Sequence, residues 1–205
     1  PFEVGFLDTP GLAVDIFVAG SYAYVGDMGG GLRIIDVSNP ASPVERSRFN
    51  PAGYKIHGIY VAGNYAYAGV YSGGFVILDV TMPSKPVMLS YTDTPGEAHT
   101  LQLVGNQLYL ADGLNGLRIY DVTNPALPVE AGFYMGPGFV HGVFVEGTTA
   151  YLANEGRGFY VLNVADVRNP VATGYYYTGD SAHFIYKYNG YIYLTDEVDG
   201  LYILR

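Results

Sequence analysis

The stretch GLRIIDVSNP, residues 31–40, decides the fold because its first seven residues recur along the chain. The other copies are GFVILDV at 74–80, GLRIYDV at 116–122, GFYVLNV at 158–164 and GLYILR at 200–205. Their first glycines follow one another at steps of 43, 42, 42 and 42 residues. A fixed period of this length is typical of repeat architectures, in which each copy forms one supersecondary unit.

Each period contains four strand-like runs. In the third copy they are HTLQLVG (99–105), QLYLAD (107–112), GLRIYDV (116–122) and PVEAGFY (128–134). Short runs rich in β-branched and aromatic residues, bounded by Gly, Asn, Asp or Pro, predict β-strands. Four antiparallel strands in about 40 residues are typical of one β-propeller blade. The sequence therefore predicts an all-β, five-bladed β-propeller of four-stranded antiparallel blades.

The repeat also predicts the domain organisation. We expect one domain over residues 1–205, with repeat units at about 11–50, 51–93, 94–135, 136–177 and 178–205. PFEVGFLDTPG at 1–11 is similar to PVMLSYTDTPG at 86–96, so residues 1–10 are predicted to complete the C-terminal blade and to protect its sheet edge. The chain begins at Pro1 without Met or a signal peptide, which indicates a trimmed or mature segment.

The repeated core resembles a known family. The LRIIDV-type motif with its DVSNP turn is similar to the LVIVD-repeat family of β-propellers, and the resemblance covers essentially the whole chain. The family consists mostly of secreted or surface-associated bacterial and archaeal proteins without an assigned activity. The resemblance therefore implies the fold and an extracellular or cell-surface location, but it implies no reaction.

Composition excludes several classes of function. A net charge of −9 argues against nucleic-acid binding and against an anionic membrane surface, since both require clustered Lys and Arg. The chain has no cysteine, so it has neither disulfides nor thiolate metal ligands. No apolar run approaches the roughly 18 residues of a membrane helix, so membrane insertion is not expected. The sequence leaves the oligomeric state open.

The histidines suggest a possible metal site. All four, His57, His99, His141 and His183, stand 42 residues apart at the start of the first strand of a unit. Thirteen residues after His99 and His183, Asp112 and Asp196 end the following strand. In a closed propeller these imidazoles and carboxylates would converge near the central channel, where they could hold a divalent metal.

A structural interpretation competes with the metal site. Each histidine could tie the incoming loop to the hairpin turn through an aspartate or carbonyl, and Val14 at the equivalent position of the first unit favours a packing role. This interpretation needs no cofactor. A carboxylate cluster of Asp27, Asp112 and Asp196 is a weak candidate for hydrolysis, because repeat-equivalent positions have similar environments and glycosidases need different ones. No catalytic residue is assigned.

Other aspartates are expected to stabilise turns. Asp36, Asp79 and Asp121 precede Ser or Thr at the end of the repeated motif. A short carboxylate there can accept a backbone N–H two residues later, as in an Asx turn.

The loops at the His/Asp end differ most between units, and variable loops on a rigid scaffold commonly carry binding function. Their side chains that suit neither a turn nor a core are Tyr54, Tyr71, Phe139, Arg157 and Glu197. The sequence therefore favours non-catalytic recognition of a protein or carbohydrate through the loop face around the channel. The alternative is a metal-binding or hydrolytic site built from the repeated His and Asp residues.

Overall fold

The computed structural model of the protein describes residues 2–51, 53–71 and 73–205, which form nineteen strands in five antiparallel sheets. Blade 1 contains β1 (Ala13–Ala19), β2 (Tyr22–Asp27), β3 (Gly31–Asp36) and β4 (Val44–Phe49). Blade 2 contains β5 (Ile56–Ala62), β6 (Tyr65–Val70), β7 (Phe75–Asp79) and β8 (Val87–Thr92). Blade 3 contains β9 (Leu101–Val104), β10 (Gln107–Ala111), β11 (Leu117–Asp121) and β12 (Val129–Tyr134). Blade 4 contains β13 (Phe139–Glu146), β14 (Thr149–Glu155), β15 (Gly158–Asn163) and β16 (Val171–Tyr176), and blade 5 contains β17 (Ala182–Tyr188), β18 (Tyr191–Asp196) and β19 (Gly200–Leu204).

The strand order in every sheet follows the chain, so each blade is a meander joined by hairpin turns. This confirms the all-β prediction of five β-propeller blades. The fifth blade has three strands, and residues 2–12 form none, so the predicted closing strand is not found among the described residues. Pro1 lies outside them. Leu7 from this N-terminal segment instead packs on Ala23, Val25 and Ile35 of blade 1.

Two compact units divide the chain. Residues 2–93 contain blades 1 and 2, and residues 94–205 contain blades 3, 4 and 5. In the first unit, Leu32 and Ile34 of β3 are fully buried against Ile59 and Val61 of β5. Burial of these side chains removes apolar surface from water and holds the two blades face to face. The contact is fixed further by Asp15 of β1, whose Oδ2 accepts a hydrogen bond from the Ile59 amide at 2.8 Å.

The second unit uses the same packing twice. Leu117 and Ile119 of blade 3 pack against Val143 and Val145 of blade 4. The next interface brings together Tyr151, Ala153 and Phe159 of blade 4 with Ala182, Ile185 and Leu194 of blade 5. The second and third strands of blade 4 are covered on both faces by neighbouring blades. Their sequences are therefore nearly continuous runs of hydrophobic residues.

Polar side chains of blade 3 also form hydrogen bonds with the backbone of blade 4. Thr100 Oγ1 accepts the Val143 amide at 2.9 Å, as Asp15 accepts Ile59 in the first unit. The Gln102 amide contacts both backbone groups of Val145, accepting from its N–H at 2.7 Å and donating to its carbonyl at 3.0 Å. These bonds satisfy the backbone of β13 from the neighbouring blade.

The first glycine of the repeated motif has a backbone role. Gly116 has a φ of 75°, which L-residues with a Cβ rarely adopt. A Cβ there would lie 2.1 Å from the carbonyl oxygen of Tyr134 on the adjacent strand. The hairpin between the second and third strands therefore needs glycine both for its left-handed turn and for the close approach of two backbones.

The turns after the third strand confirm the Asx prediction. The carboxylates of Asp36, Asp79 and Asp121 accept the amide two residues later, at 2.9, 2.8 and 2.8 Å respectively. The hydrogen bonds from Ser38 and the contact with Arg46 lower the pKa of Asp36 to about 2. Hydrogen bonds from the residue two positions later likewise lower the pKa of Asp79 and Asp121. These aspartates stabilise turns.

Candidate functional site

The aspartate at the end of the second strand ties the incoming loop to its blade. In blade 3, Asp112 is fully buried and accepts hydrogen bonds from Thr94 Oγ1 at 2.5 Å, from the Gly96 amide at 3.1 Å and from Arg118 Nε at 3.0 Å. Arg118 also donates to Glu130 at 2.9 Å. Burial raises the pKa of Asp112, and the bonds from Thr94 and Arg118 oppose that shift.

Blade 1 repeats this arrangement. Asp27 accepts the Gly11 amide at 3.1 Å and Arg33 Nε at 3.3 Å, and Arg33 reaches Glu45 at 3.1 Å. The carboxylate and guanidinium of this corner are both buried. A buried charge is tolerated only when it is paired and hydrogen-bonded, which the Asp–Arg–Glu chain accomplishes.

The corners of blades 4 and 5 use other partners. Asn154 donates to the Pro137 carbonyl at 2.8 Å. Asp196 accepts Thr178 Oγ1 at 2.8 Å and the amides of Val198 and Asp199. Burial alone would raise the pKa of Asp196, but these hydrogen bonds outweigh it and the pKa is lowered. In these corners the aspartate, a threonine and backbone amides tie the loop to the hairpin, whereas the structural interpretation assigned the tie to the histidines.

Sequence reasoning missed the threonines and arginines of these corners. A threonine stands eighteen residues before each corner aspartate, as Thr9 before Asp27, Thr94 before Asp112 and Thr178 before Asp196. An arginine follows six residues after Asp27 and Asp112, and valine follows six residues after Val70. This co-occurrence within one chain is the signal from which the loop tie was predictable.

The second unit brings three of the four histidines together. The rings of His99 and His141 have centroids 4.2 Å apart, and those of His141 and His183 lie 4.5 Å apart at an interplanar angle of 12°. We call His99, His141 and His183 the histidine row. The rings of His99 and His141 are buried, whereas the His183 side chain is 31% exposed. The row therefore passes from two buried rings to one that is partly exposed.

Three glutamates flank the histidine row. Glu97 Oε2 lies 3.9 Å from His99 Nε2, and both Glu155 Oε1 and Glu197 Oε2 lie 3.8 Å from His183 Nε2. The glutamate side chains are 47%, 36% and 66% exposed in that order. Unlike the corner aspartates, they are accessible to a ligand.

Of the three predicted ligand-binding residues in the second unit, two lie at the histidine row and one lies on a nearby turn. Phe139 packs edge-on against His99, with ring centroids 5.0 Å apart, and Glu197 belongs to the carboxylates beside the row. Arg157 is exposed in the turn after β14, and its amide donates to the Asn154 carbonyl at 3.1 Å. Phe139 and Glu197 therefore lie at the histidine row, and Arg157 lies on the turn that follows Glu155.

The histidine of the first unit stacks on one aromatic ring, and a second aromatic pair lies in the same unit. His57 is buried and stacks on Tyr71, with centroids 6.0 Å apart and planes 24° apart. Tyr54 stacks on Tyr91 at 5.5 Å, and the Tyr91 hydroxyl donates to the Gly73 carbonyl at 2.8 Å. Both predicted binding tyrosines of this unit are half-buried and partly engaged in packing.

The two sets of carboxylates therefore have different chemistry. The aspartates at the corners are directed into their own blades by hydrogen bonds, so their oxygens serve the scaffold. The glutamates beside the histidine row present negative charge on a rigid frame, next to imidazole nitrogens that can ligate Zn, Cu or Ni. The described residues contain no helix long and apolar enough to cross a bilayer.

Comparison with known proteins supports this fold. A functionally unknown protein from Desulfotomaculum acetoxidans superposes with a TM-score of 0.75 at 12% identity, over 97% of this chain and 71% of that one. The β-propeller domain of Cps50 (Swd1) from Myceliophteria thermophila gives 0.71 at 12% identity, over 90% and 67%. The computationally designed Ika8 protein gives 0.73 at 8% identity, over 92% of this chain, which spans 57% of the designed one.

At these identities the structural likenesses establish the fold alone. No match was found among the curated proteins. The sequence model of the LVIVD repeat matches residues 10–51, 55–94 and 95–136, which together make up more than half of the chain. The chain therefore belongs to the LVIVD repeat family.

Proposed function

We propose that the protein is a non-catalytic recognition module whose ligand is a basic segment of a partner protein. The observation that carries the proposal is a set of three glutamates beside the histidine row, of which Glu97 and Glu155 are partly exposed and Glu197 is exposed. The net charge of −9 adds long-range attraction for a cationic partner. The aromatic ring of Phe139 next to His99 supplies apolar contact area at the same place.

General properties of the fold agree with this function. β-Propellers commonly bind proteins through loops at the ends of their blades, and such loops are positioned by a scaffold that does not move. Opposite charge across an interface increases the association rate and selects among partners. Arginine and lysine side chains of a ligand would pair with Glu155 and Glu197. The ligand-binding roles predicted for Tyr54 and Tyr71 in the first unit, and for Arg157, stay predictions outside this proposal.

The test compares ligand classes on arrays. The chelator-treated protein is applied to an array of basic, neutral and acidic peptides and to a glycan array, all in the presence of EDTA. We expect binding to basic peptides that weakens with salt and is lost in the double variant Glu155→Gln/Glu197→Gln. The control Glu146→Gln removes a glutamate at the other end of β13, where it pairs with Lys187, and should bind as the native protein does. Binding to glycans alone, or binding that the double variant retains, contradicts the proposal.

A second candidate function is divalent-metal binding at the histidine row. Ligand atoms around a tetrahedral ion with bonds of about 2.1 Å lie about 3.4 Å apart. His183 Nε2 lies 3.8 Å from a carboxylate oxygen of Glu155 and of Glu197, close to that spacing and beyond hydrogen-bond range. In this hypothesis the ion is held by His183 and the two glutamates, and Asp112 and Asp196 of the original prediction keep their structural hydrogen bonds.

Calorimetric titration with Zn²⁺ after chelator treatment tests the second function. The native protein and Glu146→Gln should bind one ion per chain, and His183→Gln and Glu197→Gln should each weaken binding at least about tenfold. Glu197 is exposed, so its variant reports on metal binding even if His183→Gln impairs folding. Absence of binding by the native protein, or equal binding by all variants, overturns the metal site without affecting the peptide test, which is run in EDTA.

A further inference from the structure

We propose that the protein binds free arginine in a groove on the outer strand of blade 3, through the carboxylates of Asp121 and Glu130. The proposal is independent of the proposed function, because Asp121 ends β11, whereas Asp112 and His99 lie beside the beginning of that strand. It rests on one difference between blades 1 and 3, which are otherwise built alike.

Blade 1 shows how a guanidinium fits at this place. Asp36 ends β3, and Arg46 is the extra residue at the bulge of β4, where the pairing of the two strands shifts between Ile34 and Ile35. Nε and Nη2 of Arg46 both donate to Asp36 Oδ2, at 3.2 and 2.8 Å. Charge-assisted hydrogen bonds of this kind are a common way to recognise a guanidinium group. Blade 1 therefore supplies its own arginine to the carboxylate.

Blade 3 keeps the carboxylate and lacks the arginine. Asp121 ends β11 at the position of Asp36. The strand pairing shifts by the same bulge, so that Ala131 takes the position of Arg46. Hydrogen bonds from the side chain and the amide of Thr123 lower the pKa of Asp121, and the group is therefore charged at neutral pH. Alanine leaves this carboxylate without the cation that the same fold provides in blade 1.

A groove of about 510 Å³ lies where the arginine is missing, a volume within the usual range of small-ligand sites. Leu127 and Val129 are 68% and 60% exposed, so they offer apolar surface to the aliphatic stem of an arginine. A Cβ on Gly132 would lie 2.0 Å from the Val167 carbonyl oxygen, so the turn that carries Arg168 packs directly on β12. The lining of the groove includes Asp121, Leu127, Val129, Glu130, Ala131 and Arg168.

The charges of the groove define the ligand. Asp121 and Glu130 favour a cation. Arg118 and Tyr120 donate hydrogen bonds to Glu130 and thereby fix its carboxylate. Arg168 is exposed on the side of blade 4, forms no ion pair within the part of the chain that the structure describes, and can pair with a carboxylate of the ligand. A guanidinium and a carboxylate joined by a short aliphatic chain are the features of free arginine.

Calorimetric titration with L-arginine tests the site, and L-citrulline is the neutral analogue of similar shape. We expect one saturable site per chain, with citrulline at least about tenfold weaker because it cannot form the charged pair. Asp121→Asn should also weaken arginine binding at least about tenfold. This variant keeps the turn, since Asn163 at the equivalent place in blade 4 accepts the Ala165 amide at 2.9 Å. Asp79→Asn removes the equivalent carboxylate of blade 2 and is the matched control, which should bind as the native protein does.

A second variant fills the groove. Ala131→Arg installs the guanidinium of blade 1 and should abolish arginine binding, while circular dichroism shows an unchanged fold. All titrations are repeated in the double variant Glu155→Gln/Glu197→Gln, so that arginine bound beside the histidine row is not counted. The result is then unaffected by failure of the proposed function.

Two comparisons distinguish free arginine from an arginine within a partner protein. Nα-acetyl-L-arginine amide lacks the free carboxylate and Arg168→Gln lacks its partner, so each should weaken binding about threefold. Binding that neither change weakens overturns free arginine as the ligand and assigns the groove to an arginine side chain of a protein. The site itself is overturned by a native protein that binds neither probe or by citrulline that binds as tightly as arginine. Binding that both Asp121→Asn and Ala131→Arg leave unchanged also overturns it.

Discussion

In blade 3 the corner at the end of the second strand is charged, whereas in blade 2 the equivalent positions are apolar. Asp112 and Arg118 form a buried ion pair, which the more exposed Glu130 extends through a second ion pair with Arg118. Val70 and Val76 take the first two positions in blade 2, and both are buried. Met88 takes the third position in blade 2. The same backbone is therefore stabilised by paired charges in one blade and by hydrophobic packing in another.

This difference explains why a repeated aspartate is weak evidence for a catalytic site. The cost of removing two or three charges from water offsets much of their mutual attraction, so a buried ion chain and an apolar cluster of similar volume can be nearly equal in free energy. Either arrangement is stable as long as every buried charge in the corner has a partner of opposite charge. A mixture of the two, in which one charge loses its partner, is the unfavourable case.

Removal of one member of the charged corner should have the largest effect. Asp112→Val leaves the buried Arg118 without one of its carboxylates and Thr94 and Gly96 without an acceptor. We expect the free energy of unfolding to fall by about 3–5 kcal/mol, measured by urea denaturation. Asp166→Val, in an exposed turn, is the control and should cost far less. A loss below about 1 kcal/mol would show that the corner is not a structural ion pair.

Conversion of the whole corner to the chemistry of blade 2 should reverse that loss. The variant combines Asp112→Val, Arg118→Val, Tyr120→Leu and Glu130→Met, where Tyr120 is included because its hydroxyl bonds Glu130 and Leu78 stands at its position in blade 2. We expect most of the lost free energy of unfolding to be recovered, because the buried charges are gone and only the Thr94 hydroxyl and the Gly96 amide still lack an acceptor. Thermal and urea unfolding measure it, and a combined variant no more stable than Asp112→Val would refute the equivalence of the two corners.

The contact between neighbouring first strands shows the same contrast. Phe17 of blade 1 packs on Tyr60 of blade 2 with ring centroids 4.9 Å apart, whereas Gln102 at the equivalent position of blade 3 bonds the Val145 backbone. Gln102→Leu should cost about 1–3 kcal/mol, since it leaves backbone groups of a buried residue unsatisfied. Gln102→Tyr should cost less, because a ring can pack on Phe144. If urea denaturation shows that both variants lower the free energy of unfolding equally, the tyrosine ring does not compensate for the lost hydrogen bonds.

Most of the fold could be predicted from the repeat, but the side-chain contacts between blades could not. Strand positions, hairpin glycines and Asx turns follow from local sequence, because each depends on residues only a few positions apart. The ion pair of Asp112 with Arg118 lies within one blade, and the six-residue spacing that it shares with Asp27 and Arg33 was a usable sequence signal. By contrast, Glu155 and His183 approach each other only through the packing of blades 4 and 5.

The smallest expected effect concerns Asp15 and Thr100, which make the same contact with different charge. Each accepts an amide of the next blade, from Ile59 and from Val143 respectively. Burial raises the pKa of Asp15 above 3.8, while the hydrogen bonds from Ile59 and Ile16 oppose the shift. A carboxyl whose pKa is higher in the folded than in the unfolded state contributes stability below the unfolded pKa, and that contribution is lost as pH rises through the folded pKa.

Asp15→Thr installs the neutral acceptor of blade 3 and should remove this pH dependence. The stability of the variant relative to the native protein should increase as pH rises from about 3 to about 6, because only the native protein then places a charge in the blade interface. Urea denaturation across this range measures the difference, with Asp8→Thr in the N-terminal segment as control. A difference that stays constant with pH, or that shrinks as pH rises, would mean that the amide of Ile59 stabilises the Asp15 carboxylate more than burial disfavours it.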